Sequence, residues 1–356
     1  MLVIDGKILD LDGVEAGYVI LDDSGRVVER GKPGTLGLTE HRVVKGAALP
    51  WMVNGHTHLG DAIWGQEPPV GSLAEIVRPP HGLKHRLLAS SSGEEKAMAM
   101  RNSLLMMQGH GTGVTIDFRE EGVEGVKLLR EAADGLSIRP FVLGRPGNLS
   151  DPEEVAKVLA LSDGLCLSAL KDLDPKVARA VAAQVQLENK FFSLHASEDE
   201  REPLEPILEL APSLLVHLTL ATEADLELLR EEKVPVAFCP RSNALFGKFP
   251  PLHLAEKLGL PFLLGTDNLM FNFPDLFREM EFSYVASRLH HAPVKPESLV
   301  RAVFLTPWEV LRSPGHGRLQ PDLPARALGL RIPLRDPYYE IVARAGISSI
   351  VSAMPA

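Results

Sequence analysis

Eight short apolar runs, separated by stretches of helical pattern, constrain the fold of this chain more than any other feature. Alternation of strands and helices favours parallel pairing, and eight such units predict a (β/α)₈ TIM barrel in the α/β class. An open, doubly wound sheet is the alternative, although no G-x-G-x-x-G follows the first run, which argues against a dinucleotide-binding version. The runs cover residues 47–56, 113–118, 139–144, 164–169, 191–195, 213–217, 234–239 and 261–266.

Signals for helix starts lie between these runs. Ser92 and Ser150 each begin a capping-box pattern, and Thr222 begins a variant of it. Asp174 precedes a proline, which suits an N-cap followed by proline at the first helical position. Thr306 begins a further box. These signals support helices between the predicted strands.

The two ends of the chain have a different pattern, with short β-type runs broken by turn residues. At the C-terminal end these runs are residues 327–330, 341–343 and 347–351. Chain termini often lie close together in domains. We therefore expect residues 1–49 and 317–356 to form one small β-sandwich domain beside a barrel made of residues 50–316.

The overall composition excludes several functional classes. Of the 356 residues, 24% are charged and 45% are apolar, which is ordinary for a globular protein. The net charge of −10 argues against non-specific nucleic-acid binding. No apolar stretch approaches the ~20 residues of a membrane span, and no secretory signal is apparent. The cytoplasm is the default expectation, with Cys166 and Cys239 as buried, reduced thiols.

A pair of histidines at the end of the first apolar run is the first sign of chemistry. His56 and His58 are two residues apart, so in a strand both imidazoles project to the same side. Such a pair is a suitable beginning for a metal site, because imidazole is a common metal ligand. The motif is short, and it gains meaning only if later strand ends supply more ligands.

Later strand ends do supply such residues. His195 ends the fifth run and is followed by Glu198, His217 ends the sixth, and Asp267 follows the eighth. The carboxyl ends of barrel strands are where barrel enzymes place their catalytic groups. Taken singly, each residue could be a structural histidine or a helix cap. Together they predict one active face.

The motifs around these residues resemble those of the amidohydrolase superfamily, and specifically of its cytosine deaminase / chlorohydrolase (ATZ/TRZ) branch. The resemblance extends over nearly the whole chain and includes the small terminal β domain. The motifs that carry it are V-N-G-H-T-H, H-A-S-E, V-H-L, C-P-R-S-N and G-T-D-N.

The resemblance implies a set of roles. His56, His58, His195 and Asp267 would bind one divalent metal ion, with Zn²⁺ expected first and Fe²⁺ as the alternative. Glu198 would move the proton between water and leaving group, and His217 and Asp267 would assist as catalytic residues. The superfamily also has a two-metal form bridged by a carboxylated lysine. Lys171 lies near that position but rather late in the chain.

The walls of the substrate pocket are less clearly marked. Arginines follow three strands and could together bind a carboxylate or a phosphate, or could instead pair with neighbouring acids such as Glu120. The first loop, residues 59–91, is long enough to act as a lid or a substrate wall. The candidate substrate contacts are Trp64, His85, Arg119, Arg145, Arg241 and Asn243.

The resemblance implies an aminohydrolase that removes ammonia from an aminated heterocycle such as a purine, pterin, pyrimidine or triazine, by attack of metal-bound hydroxide. Two alternatives use the same site, a cyclic amidohydrolase of the imidazolonepropionase type and a chlorohydrolase. A third alternative is a binding protein that has kept the metal but lost turnover. The partner would be a small heterocyclic molecule, and a homodimer is left open.

Overall fold

The computed structural model describes residues 1–37, 40–63, 70–77 and 81–351. Its strands form two sheets, and most of its helices lie between consecutive strands of the larger one. The strands are β1 (Leu2–Asp10), β2 (Gly13–Leu21), β3 (Val27–Gly31), β4 (Arg42–Pro50), β5 (Met52–His58), β6 (Thr112–Arg119), β7 (Arg139–Gly144), β8 (Gly164–Leu167), β9 (Phe191–Ala196), β10 (Leu214–His217), β11 (Val236–Phe238), β12 (Phe262–Leu264), β13 (Asp267–Asn268) and β14 (Ala327–Leu330).

The helices vary from one turn to almost five turns. They are α1 (Leu73–Val77), α2 (Leu83–Ser90), α3 (Gly93–Gly109), α4 (Gly122–Ala133), α5 (Pro152–Leu161), α6 (Pro175–Leu187), α7 (Glu205–Leu208), α8 (Glu223–Glu231), α9 (Pro240–Leu245), α10 (Leu252–Leu258), α11 (Leu276–Leu289), α12 (Pro296–Phe304), α13 (Thr306–Val310) and α14 (Pro337–Ala343). Short 3₁₀ segments cover Leu59–Ile63, Leu170–Asp172, Pro314–Gly317 and Ile347–Ser349. Among the described residues, no helix has both the length and the apolar character needed to cross a bilayer.

The larger sheet is the predicted parallel barrel. Its strand order runs from β12 back through β11 to β5 and then to β13. Because β12 and β13 are consecutive parts of one chain segment, the sheet closes on itself through residues 262–268. Every residue of β5 and β6 is buried, as expected for parallel strands covered on both faces. The TIM-barrel prediction is confirmed.

The terminal segments form the second sheet. Its order is β14-β4-β1-β2-β3, so the C-terminal strand β14 pairs with a strand from the N-terminal segment. The prediction that both ends of the chain build one small β unit is confirmed. The exact division at residues 49, 50, 316 and 317 stays a prediction, and α14 packs on the barrel helices α11 and α12.

Three of the predicted β segments were wrong. Residues 347–351 contain the 3₁₀ segment Ile347–Ser349, where the Gly346 N–H donates to Ser349 Oγ, and Ile350 pairs with Leu330 in an isolated bridge. The first apolar run, residues 47–56, contains parts of two strands, since β4 ends at Pro50 in the small sheet and β5 begins at Met52 in the barrel. Residues 46–58, on both sides of the boundary, are all buried, so hydrophobicity does not mark it. Residues 341–343 lie in helix α14, whose N-cap, Asp336, accepts a hydrogen bond from the Tyr339 N–H, with proline at the first helical position.

The structure also tests the predicted helix starts and thiols. Ser92 and Thr222 form capping boxes and Asp174 caps α6, as predicted. Helix α5 is capped by Asp151 rather than Ser150, and Thr306 lies inside its helix rather than at the cap. Cys166 and Cys239 are free and buried.

Candidate active site

The predicted metal ligands meet at the carboxyl end of the barrel. His56 and His58 come from the end of β5, His195 from β9 and Asp267 from the start of β13, with His217 at the end of β10 nearby. His56 Nε2 lies 3.3 Å from His195 Nε2 and 3.3 Å from Asp267 Oδ1. His58 Nε2 lies 3.8 Å from the same Asp267 oxygen.

These spacings suit a single small cation. Ligand atoms about 2.1 Å from a zinc ion in tetrahedral arrangement lie about 3.4 Å apart. The ligand atoms of His56, His58 and His195 lie within 4.8 Å of one another, as do those of His56, His217 and Asp267. Three imidazoles and a carboxylate are also the donor set that divalent zinc or iron accepts. The residues present therefore fit the implied metal.

The surroundings of His56, His195 and Asp267 set the protonation of these three ligands in the direction that a metal requires. Burial lowers the pKa of His56 to about 3 and that of His195 well below its usual value, so both imidazoles are neutral. Burial acts to raise the pKa of Asp267, but the hydrogen bond from His56 and the charge of His217 hold it well below the usual range. Neutral imidazoles and an ionised carboxylate are the forms that bind a cation.

Two neighbouring side chains orient the ligands. Ser242, in α9, donates a hydrogen bond of 2.5 Å to Asp267 Oδ2, which leaves Oδ1 directed at the histidines. The Glu120 carboxylate lies 2.9 Å from His58 Nδ1, and its charge acts to raise the pKa of that imidazole against the effects of burial and Lys84. A proton held on Nδ1 leaves Nε2 free for a metal.

Glu120 belongs to a buried charged cluster behind His58. Lys84, in α2, lies 2.6 Å from Glu120 and 3.0 Å from Asp61. Arg119 donates a hydrogen bond of 2.9 Å to the other Glu120 oxygen. All four side chains are almost fully buried, and each charge is matched by an opposite one. The sequence pattern gave no signal for the part that Asp61 plays here.

Glu198 lies beside the ligand set on the pocket wall. Its Oε1 atom is 3.6 Å from His217 Nε2, and burial raises the pKa of its carboxyl. Asn243 approaches the other side of the same imidazole, with its amide nitrogen 3.4 Å from His217 Nδ1. A carboxyl with a raised pKa close to a candidate metal site can both accept and return a proton near neutral pH.

Several residues at the site have a strained backbone. Ser197, His217 and Asp267 all have left-handed conformations, with φ values of 49°, 75° and 59°. Such conformations are uncommon for residues other than glycine, and they occur often at functional sites. At His217 and Asp267 the strained residue is itself one of the site's polar groups.

Some of the predicted substrate contacts line the pocket in the structure, and others do not. His85 and Arg145 line the pocket, together with Lys84, Glu198 and Phe271. Arg119 does not, since it is 1% exposed and pairs with Glu120. Arg241 is also directed elsewhere, to Glu279 and the carbonyl of Phe273.

The remaining candidates have different positions. Asn243 contacts His217 and is not among the residues that line the pocket. Trp64 lies outside the described residues. Lys171 lies in a 3₁₀ segment after β8, on the pocket wall, where its ammonium group is 2.6 Å from Asp199. Its described ion-pair partners are the carboxylates of Asp199 and Glu200, so its ammonium group is engaged away from a bridging role.

Comparison with known proteins extends this description. The model of the amidohydrolase family matches residues 47–321. A relative from Methanothermobacter thermautotrophicus, provisionally named an aminohydrolase, is 37% identical over 330 residues, which cover 85% of this chain and 83% of the relative.

Solved structures show the same fold at low sequence identity. An adenosine deaminase from Xanthomonas campestris with bound zinc superimposes with a TM-score of 0.80 at 17% identity, over 98% of this chain and 90% of that one. A zinc-complexed atrazine chlorohydrolase from Arthrobacter aurescens gives a TM-score of 0.73 at 17% identity, over 96% and 91% of the two chains.

Proposed function

Because this chain belongs to the amidohydrolase family, we propose that it is a metal-dependent aminohydrolase that releases ammonia from an aminated heterocycle such as a purine, pterin, pyrimidine or triazine. The observation that carries the proposal is the position of Glu198. Its carboxyl lies on the pocket wall, 3.6 Å from His217 and next to the converging ligand atoms of His56 and His195. A proton carrier beside a metal site is the arrangement that hydrolysis of a ring amidine needs.

His56, His58, His195 and Asp267 would hold the ion, and zinc is the first expectation because two proteins of the same fold contain it. When bound, the ion would supply Lewis-acid activation of water. Ser242 and Glu120 keep Asp267 and His58 turned towards the ligand position. The protein thus supplies a fixed donor set that needs little rearrangement on binding.

Glu198 would carry one proton from the attacking water to a ring nitrogen. It would then carry the proton of the added hydroxyl to the amino group, which leaves as ammonia as the C–N bond breaks and the carbonyl forms. Its raised pKa, caused by burial, favours this exchange near neutral pH. His217 would hydrogen-bond the oxygen that adds to the ring carbon. Its own orientation is supported by Asn243 on the opposite side of the imidazole. The products would be ammonia and the oxo form of the ring.

The decisive experiment is a screen for ammonia release over aminated purines, pterins, pyrimidines and triazines, using protein of measured metal content. We expect at least one heterocycle to release one equivalent of ammonia per equivalent of product, and protein freed of metal with a chelator to release none. Chloride release or ring opening without ammonia would instead favour the chlorohydrolase or cyclic amidohydrolase alternatives. Metal-loaded protein that converted no compound of these classes would contradict the proposal.

A further inference from the structure

A second cavity lies at the opposite end of the barrel from the candidate active site. Its volume is about 320 Å³, whereas the active-site pocket measures about 90 Å³. Gly113 and Arg139, at the amino-terminal ends of β6 and β7, line it together with Trp308 of α13. Arg26 and Arg326 enter it from the small sheet side. It therefore lies between the bottom of the barrel and the terminal β unit.

The inner walls of this cavity are aromatic. Trp51 and Trp308 are 7% and 6% exposed, and Phe141 lies beside them in the lining. The ring of His316 stacks on Trp308 with a centroid distance of 5.2 Å and an interplanar angle of 15°. Walls of this kind suit a flat ring, because aromatic groups bury large areas and stack favourably.

Positive charge is concentrated at the same cavity. Arg26 and Arg326 face each other across an antiparallel bridge, and like charges placed directly opposite each other are destabilising. Within the described part of the chain neither forms an ion pair, and Arg326 lies over the Trp51 ring at 4.9 Å. Asp22, in the same turn, accepts the backbone N–H of Arg26, and the charge of Arg26 also acts on this carboxylate without a close ion pair. Arg139 adds a third guanidinium, paired with Asp163.

Two further groups respond to this environment. Burial lowers the pKa of His316, and the positive charges of Arg139 and Arg326 lower it further. The buried indole N–H of Trp308 donates no hydrogen bond to any of the described residues. An acceptor atom on a bound molecule would satisfy that donor, and a negative charge would relieve the repulsion between the arginines.

We propose that this cavity is a binding site for a flat aromatic or heteroaromatic anion, with the ring between Trp51 and Trp308 and the phosphate or carboxylate at Arg26 and Arg326. The cavity volume falls within the range of small-molecule sites, about 300–1,000 Å³. Because it lies away from the candidate metal ligands, the proposal does not depend on the proposed function. A ligand here would join the barrel to the terminal sheet and stabilise both.

The test uses the full chain and four probes: 1-naphthyl phosphate, 1-naphthoate, 1-naphthol and inorganic phosphate. Two of the three tryptophans of the chain line the cavity, so quenching of tryptophan fluorescence reports binding alongside the shift in Tm. We expect saturable quenching and a raised Tm with a naphthyl anion. Naphthol or phosphate should need at least a tenfold higher concentration to give the same response. The two anions distinguish phosphate from carboxylate recognition.

The matched variants are Arg26→Gln/Arg326→Gln and, as a control, Arg335→Gln, which removes an exposed arginine outside the cavity. We expect the double variant to bind the naphthyl anion at least tenfold more weakly, and the control to bind it as the wild type does. Without ligand, the double variant should unfold close to the wild-type Tm, because removal of a like-charged pair offsets the loss of the contact between Arg326 and Trp51. The proposal is overturned if neither anion binds, or if the double variant binds the anion as tightly as the wild type does.

Discussion

Asn54 and Thr266 exchange two hydrogen bonds across the seam where the barrel closes. The Asn54 amide nitrogen donates to Thr266 Oγ1 at 2.8 Å, and the Thr266 N–H donates to Asn54 Oδ1 at 3.0 Å. Both residues are fully buried. Asn54 lies two residues before the candidate ligand His56, and Thr266 directly precedes the candidate ligand Asp267. The pair therefore fixes the distance between the first and last ligand-bearing strands.

We expect Asn54→Ala to lower the free energy of unfolding by about 1–3 kcal/mol, because it leaves the buried Thr266 donor without a partner. The variant should also bind metal more weakly, since His56 and Asp267 lose their common support. Urea denaturation and metal analysis measure the two effects. Asn102→Ala, on the exposed side of α3, is the control and should change neither quantity. Wild-type stability in Asn54→Ala would show that the seam does not depend on this pair.

His195→Ala tests the proposed ligand set without reference to any substrate. Removing one of four ligands should reduce the metal content of the purified protein well below one equivalent per chain, as measured by elemental analysis. Burial keeps this imidazole neutral, so the loss should be seen at neutral pH. His253→Ala, in α10, provides the matched control and should retain the wild-type metal content. Full metal retention by His195→Ala would break the proposed coordination set.

The sequence was sufficient to predict the barrel and to select its polar strand ends, because both depend on local patterns. An apolar run followed by a histidine or aspartate is visible without any knowledge of tertiary pairing. The strand ends β5, β9, β10 and β13 do converge in the structure, as the parallel topology requires. The boundary between β4 and β5 was missed because the residues on both sides of it, 46–50 and 51–53, form one uncharged, buried run.

The supporting contacts could not be predicted in the same way. Ser242 and Asp267 are 25 residues apart, and Asn54 and Thr266 are 212 apart, so nothing local connects either pair. For two arginines, a shift of one residue along paired strands determines whether the side chain is buried or faces the pocket. Arg119 pairs in register with Gly144, one residue before Arg145, and successive side chains of a strand point to opposite faces. Arg119 is accordingly buried, whereas Arg145 reaches the pocket.

Glu198→Gln tests the proton-transfer step. The amide keeps the size of the carboxyl but cannot carry the proton, so we expect turnover to fall by about 10²- to 10⁴-fold. Metal content should remain near one equivalent, because Glu198 is not in the proposed ligand set. Glu205→Gln, exposed at the start of α7, should leave both unchanged. If Glu198→Gln turned over a substrate from the ammonia screen at the normal rate, this residue would have no part in the mechanism.

The buried carboxyl of Glu279 should make the stability of the protein depend on pH. Burial raises the pKa of its carboxyl to about 7, against the opposing effect of Arg241. The pKa of Glu279 in the folded protein therefore lies above its value of about 4.3 in the unfolded chain. The contribution of this residue to the free energy of unfolding is complete below about pH 4.3 and is lost as the pH rises through about 7. The loss is on the order of 3 kcal/mol.

We therefore expect the free energy of unfolding of the wild type to fall between about pH 5 and about pH 8. In Glu279→Gln this fall should be smaller, since glutamine does not ionise. Chemical denaturation at the two pH values measures the difference. Glu131→Gln, exposed on α4, should keep the wild-type dependence. An identical pH dependence in Glu279→Gln and the wild type would mean that Glu279 does not titrate in this range.

Ser242→Ala separates the orientation of a ligand from its presence. The hydroxyl holds Asp267 Oδ2 at 2.5 Å, so that the other oxygen, Oδ1, faces His56 at 3.3 Å. Loss of a side chain that orients a metal ligand typically weakens metal affinity by about 10- to 100-fold. We expect a change of that size in a competitive chelator titration, with all four ligands still in place.

Ser162 offers a matched control, because its hydroxyl is also buried and bonds, among the described residues, the carbonyls of Val158 and Gly164, away from the site. Ser162→Ala should lose some stability but keep the metal affinity of the wild type. Ser242→Thr should keep most of the affinity, since it retains the hydroxyl. If Ser242→Ala bound metal as tightly as the wild type, the orientation of Asp267 would have to come from the histidines alone, and the hydrogen bond would be a consequence of the ligand arrangement rather than its support.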